Sequence, residues 1–125
     1  MVRHQMAYDS SNIFARILRG ELPAKKVHED DNVLAFHDIA PKAPVHVLVI
    51  PKQPYVSMDD FARIAGPEEI GRFFKTVGEI ARKLGLADNG YRLILNIGGH
   101  GGQEVPHIHV HILGGRPIGP MVAGR

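Results

Sequence analysis

The sequence predicts an α+β fold: a five-stranded antiparallel sheet carrying one long and one short helix. Two observations lead there. One segment, from Pro67 to Leu84, spaces its apolar residues as a long amphipathic helix does. Around it lie short strand-like runs in two groups, and connections within each group are short, which favours antiparallel pairing.

The elements follow in order. Ser10-Ser11-Asn12 offers N-cap oxygens, Ile13, Phe14, Ile17 and Leu18 recur at helical spacing, and Gly20 with Pro23 closes a short helix ending at Arg19. Lys26 to Glu29 is a weak strand and Val33 to Asp38 a stronger one. Val45 to Ile50 is β-branched and bounded by Pro44 and Pro51, as a strand with stopped ends should be. The intervening Ala40-Pro41-Lys42-Ala43-Pro44 is loop. In the long helix, Pro67 suits the first position, and Glu68 and Glu69 complement the positive helix start. Ile70, Phe73, Phe74, Val77, Ile80, Ala81 and Leu84 then form one face, and Gly85 terminates it. Tyr91 to Asn96 and His107 to Leu113 complete the sheet, joined by a glycine-rich loop, Gly98-Gly99-His100-Gly101-Gly102. Residues 1–11 read as a flexible lead-in and 12–125 as a single domain.

Composition narrows the function. The 125 residues can bury a core without staples, and the chain has no cysteine, which excludes a thiol nucleophile and cysteine metal sites. The formal charge is only +2, Trp is absent and no basic stripe occurs, so nucleic acid is not the expected partner. No apolar stretch is long enough to span a bilayer and the N-terminus lacks a signal-peptide core, so the expected location is cytoplasmic, off the membrane.

Eight histidines stand out, three of them in His107-Ile108-His109-Val110-His111. Side chains alternate faces along a strand, so the three imidazoles share one face while Ile108, Val110 and Ile112 pack the other. A solvated face would carry mixed polar residues instead. The first and third histidines of such a strand lie ~13 Å apart, too far for one zinc to collect all three. Two of them could share an ion only with a further ligand from elsewhere, such as His46; the expectation is no metal, and no cofactor. Neutral imidazole is a nucleophile near pH 7, and its neighbours can move protons. His46 shares a strand face with Leu48 and Ile50 and reads equally as a site residue or a buried pairing histidine. The glycine run reads as a flexible turn or as an anion-binding nest. Neither a P-loop nor a dinucleotide-binding turn occurs.

The run from His107 to Leu113 matches the H-φ-H-φ-H-φ-φ pattern of the histidine triad (HIT) superfamily. Further residues resemble its Hint branch: Ile13-Phe14, Ala35-Phe36-His37-Asp38-Ile39, Pro41-x-Ala43-Pro44-x-His46, Val49-Ile50-Pro51-Lys52, Gly101-Gly102-Gln103 and, as in bacterial members, Gly114-Gly115-Arg116-Pro117. The resemblance covers about Asn12 to Met121. It implies hydrolysis of purine nucleoside phosphoramidates, such as adenosine phosphoramidate and nucleotidyl-lysine, through a nucleotidyl-histidine intermediate and without a metal. By that resemblance His109 is the nucleophile, His107 and His111 orient it and contact phosphate, and His46 supports the cluster. It also implies a nucleotide site built from Ile13, Phe14, Phe36, His37, Asp38, Ile39, Asn96, Gly102, Gln103, Glu104 and Val105. Asp38 would accept the ribose hydroxyls, though a loop-capping Asp fits the pattern too. The apolar members would form a slot for the base, or plain core, and core suits Ile17 better. Glu104 departs from the eukaryotic pattern, which has serine there. The expected arrangement turns its carboxylate outward and presents its backbone N–H to phosphate. The branch pairs as a homodimer through the long helix and the following strand. Two rivals stand beside this reading: a dinucleoside polyphosphate hydrolase of the Fhit type, and a nucleotide- or partner-binding regulatory module.

Overall fold

The computed structural model describes residues 7–123. Residues 1–6, more than half of the expected lead-in, lie outside them. Helix α1 (Ile13–Leu18) begins where Asn12 Oδ1 accepts the Ala15 N–H at 2.9 Å. Strands β1 (Lys26–Glu29), β2 (Val33–His37) and β3 (Val45–Pro51) form an antiparallel meander. Helices α2 (Met58–Ile64) and α3 (Pro67–Lys83) follow, then β4 (Arg92–Ile94), the single turn α4 (Gly98–Gly101) and β5 (Val110–Gly114). Strand β5 inserts between β3 and β4, giving a five-stranded antiparallel sheet of order β1-β2-β3-β5-β4.

The expected sheet is present, with more helix than one long and one short segment. Helix α2 was not anticipated. Ser57 and Asp60 cap it reciprocally, and Phe61 is fully buried beneath the sheet. The glycine run is not an open turn but the helical turn α4, with Gly98 and Gly102 at φ +67° and +78°, where side chains are strained. Strand β4 spans three residues rather than six. Strand β5 starts only at Val110, because the Ile108 N–H leaves the ladder and donates to Tyr55 O at 2.9 Å. The alternation of faces survives outside the ladder: Ile108, Val110 and Ile112 are all buried in the larger core.

That core joins one sheet face, with Val33, Ala35, Val47 and Val49, to Phe61 of α2 and to Phe73, Val77, Ile80 and Ala81 of α3. The apolar face of α3 is thus used by the chain's own sheet. The opposite sheet face carries Leu34, Phe36, Leu48 and Ile50, covered at one end by Phe14 of α1. The rest of that face holds the histidines. At the end of β5, a Cβ on Gly114 would lie 2.8 Å from Leu86 Cδ2, and one on Gly115 2.9 Å from Pro44 Cβ. At Gly115, with φ +94° and the Pro44 ring this close, only glycine fits, and the approach ties the strand's end to the 40–44 loop. No helix among the described residues is long and apolar enough to cross a membrane.

Candidate active site

Four histidines gather on the second sheet face: His46 from β3, His111 from β5, and His107 and His109 from the segment before β5. Their hydrogen bonds assign every ring proton. His107 Nε2 lies 2.8 Å from the Pro51 carbonyl, which can only accept, so Nε2 carries the proton. Nδ1 of this neutral ring is then an acceptor, and it receives the Tyr8 hydroxyl at 2.5 Å. The ring is wholly buried, and burial pushes its pKa down to about 4. His109 Nδ1 lies 2.7 Å from the His107 carbonyl and must donate to it. The lone pair of His109 is therefore on Nε2. Burial also lowers the pKa of His109, against partial offsets from that hydrogen bond and from the charges of Asp38 and Glu104.

The second pair is set the same way. The Lys42 N–H donates to His46 Nδ1 at 3.0 Å, leaving the proton on Nε2. That proton points at His111 Nδ1, 2.9 Å away. Asp38 Oδ2 lies 3.4 Å from the same nitrogen of His46. His111 therefore carries its own proton on Nε2. Burial first, then the neighbouring His109 and His46, pushes the His111 pKa to about 4. His46 is lowered as well, by burial. All four rings are neutral at pH 7, with one lone pair left over on His109 Nε2 and one proton left over on His111 Nε2. The two rings sit closer than successive same-face residues of a flat strand would, with centroids 5.1 Å apart.

A cleft of about 580 Å³ opens over this face, the size of a small-molecule site. It is lined by His46, His109 and His111, and by Ile13, Phe14, Phe36, His37, Asp38, Ile39, Asn96, Gly102, Glu104 and Val105. Ile17 lines it too, together with Pro23, Ala24, Lys42, Leu48, Ile94, Leu113 and Ile118, which the sequence did not single out beyond pattern. Phe14 packs edge-on to His109, with centroids 4.9 Å apart, and Ile39 stands 99% exposed at the rim. Asp38 divides its work: Oδ1 caps the Ala40 N–H at 2.8 Å, the loop role, while Oδ2 faces His46.

Two expected members are placed elsewhere. Both ring nitrogens of His107 are engaged away from the cleft, so it has no ring atom to offer a phosphate. Gln103 is a loop clamp: its Nε2 donates to Val56 O at 2.6 Å and Val105 O at 3.0 Å, and its Oε1 accepts the Gly98 N–H. The glycine turn uses the N–H groups of Gly102 and Gln103 on its own carbonyls, so they do not form the expected nest. Glu104 is exposed, yet it lines the cleft near enough to act on His109, so its carboxylate is not turned wholly away. Tyr8 was missed because nothing local marks it: its partner is 99 residues away.

Asp38, His46 and His111 also bring ligand atoms within 4.8 Å of one another, the grouping among the described residues that could hold a metal. The hydrogen bond from His46 to His111 accounts for that closeness without an ion.

Comparison with known proteins gives the same picture. The HIT domain matches residues 19–118. A HIT-like protein of Azospirillum brasilense is 56% identical over 115 residues, covering 92% of this chain and 94% of its own. The purine nucleoside phosphoramidase of Escherichia coli (strain K12) is 48% identical over 111 residues, covering 89% of this chain and 92% of its own. Among solved structures, a HIT family hydrolase from Clostridium thermocellum superimposes with a TM-score of 0.82 at 39% identity, covering 90% of this chain and 97% of that one. Agreement along nearly the whole length, in sequence and in backbone, goes well beyond the histidine motif: the chain belongs to the histidine triad (HIT) family.

Proposed function

We propose that the protein is a hydrolase that cleaves the P–N bond of purine nucleoside 5′-phosphoramidates through a nucleotidyl-histidine intermediate. The observation that carries this is the proton assignment: His109 Nε2 holds the one uncommitted lone pair of the four rings, inside a cleft sized for a nucleotide. The name of the Escherichia coli relative supports the substrate class.

In the first step His109 Nε2 attacks the α-phosphorus, the bond from phosphorus to the leaving nitrogen breaks, and the amine departs with a proton taken up from water in the cleft, the one that the second step returns. The ring can become a positively charged phosphoryl donor because its Nδ1 proton stays bonded to the His107 carbonyl. The Nε2 proton of His111 is the donor for a phosphate oxygen, and it stays in place because His46 occupies the other nitrogen. In the second step water attacks phosphorus, breaks the bond to His109 and releases the nucleoside monophosphate and a proton. Phe14, Phe36 and Ile13 offer the apolar side of the cleft to the base, and Asp38 Oδ2 offers the ribose hydroxyls an acceptor. With Gly102 and Gln103 occupied, the next N–H groups along the chain, at Glu104 and Val105, take the phosphate. The Glu104 carboxylate favours a leaving group that carries positive charge, as a lysine-derived amine does.

Steady-state kinetics with adenosine phosphoramidates beside diadenosine polyphosphates, together with adduct trapping, test the reading. The expected result is a preference for phosphoramidates and an adduct on His109. His109→Ala lowers kcat about a thousandfold or more while AMP binding persists. An adduct on His107 or His111, or faster cleavage of the polyphosphates, overturns it.

A further inference from the structure

The His107 ring is buried with neutral hydrogen-bond partners, and it lies outside the cleft, yet its carbonyl fixes the ring of His109. What holds His107 itself is on the page. Its Nε2 proton goes to Pro51 O, which leaves a buried lone pair on Nδ1, and a buried acceptor without a donor is costly. The donor is the hydroxyl of Tyr8, in the segment before α1. The Tyr8 ring also packs edge-on against the His107 ring, with centroids 5.6 Å apart. The same segment is anchored just after Tyr8: Arg19 donates to Ser10 O at 2.7 Å, and Asn12 donates its side-chain N–H to Asp9 O at 2.8 Å. Phe14, a few residues on, packs against both His107 and His109.

We infer that Tyr8 is a positioning residue: its hydroxyl locks His107 in the one tautomer that keeps the His107 carbonyl aimed at His109 Nδ1. The inference rests on the proposed role of His109. Without the hydroxyl, only the Nε2 bond to Pro51 O favours this tautomer, and the buried lone pair on Nδ1 is left without a donor. A proton moving to Nδ1 would leave a lone pair on Nε2 facing the Pro51 oxygen, and the ring would turn away. The carbonyl at 107 would move with it, and His109 would lose the bond that aims its Nε2.

The test uses the full chain. Tyr8→Phe removes only the hydroxyl. It lowers kcat about tenfold, leaves KM and AMP affinity within about twofold, and leaves the far-ultraviolet spectrum unchanged. Nitrogen-15 histidine spectra read the tautomers without turnover: the native protein shows His107 protonated on Nε2 and His109 on Nδ1, and both populations become mixed in the variant. A ring-fluorinated tyrosine at position 8 keeps the shape and ionises at lower pH, and a phenolate cannot donate. Its kcat profile gains a loss of rate on the alkaline side that the native enzyme lacks. Native kcat in Tyr8→Phe, unchanged tautomers, or a flat alkaline profile in the fluorinated protein overturns the inference. So does loss of AMP binding in parallel with kcat, which marks a merely structural role. If the tautomers shift as expected but His109→Ala still turns over, the lock stands and the reading of His109 falls.

Discussion

Acidification from pH 7 to 5 should destabilise this protein through its buried histidines. In the unfolded chain a histidine takes up its proton near pH 6.5, whereas burial holds His107 and His111 neutral down to about pH 4. Between those values the unfolded chain binds protons that the native chain refuses, so stability falls as pH falls. The contribution is fully present above pH 6.5 and lost progressively toward pH 4. Each such group costs about 1.4 kcal/mol per pH unit, so His107 alone removes about 2 kcal/mol between pH 6.5 and 5. His111 is partly exposed and adds a smaller amount; His46 and His109 act in the same direction. Urea midpoints at half-unit steps measure the slope. His107→Gln should reduce that slope by close to one proton, whatever it does to the midpoint at pH 7. The carboxylate of Glu29 is held down to about 2 by Lys26 and Lys52, so it does not enter this window. Stability that is flat from pH 7 to 5, or a slope unchanged in His107→Gln, refutes the reasoning.

Two further outcomes are expected. Turnover should survive exhaustive EDTA treatment, because both ring nitrogens of His46 and Nδ1 of His111 are already committed to hydrogen bonds; activity lost to EDTA and restored by zinc would contradict this. The protein should sediment as a homodimer at micromolar concentration. The support is the edge strand β4, with Tyr91, Leu93 and Ile97 at 38%, 45% and 43% exposure, rather than the face of α3 that the chain buries itself. A mass near 13.7 kDa, instead of about twice that, refutes it.

Periodicity made the sheet and the long helix legible. The 3.6-residue spacing in α3 and the alternation from Ile108 to Ile112 report burial directly, and burial is what the sequence encodes most redundantly. Helix α2 escaped because seven residues give too few turns for a period, and its cap, Ser57 with Asp60, lacks the Glu or Gln of the usual box. Strand β4 was overestimated because an edge strand stops where its single neighbour stops offering partners, which is not a local property. In the site, the shared face of the histidines was readable, but not which of them opens to the cleft. That depends on Tyr8, Pro51 and Lys42, contributed by distant parts of the chain. The glycine run gave the right place and the wrong shape, since four near-consecutive glycines permit a helical turn as readily as an open loop.

The proton assignments end on main-chain groups at three places: the Lys42 N–H, the Pro51 carbonyl and the His107 carbonyl. Exchanging the Lys42 side chain alters the charge at the mouth of the cleft but cannot remove the amide that sets His46; only proline can. Much of the chemical identity of these imidazoles is thus written in the path of the backbone rather than in the side chains around them. Drift in the surrounding side chains can retune charge and leaving-group preference while the division into one nucleophile and one donor persists as long as the sheet does.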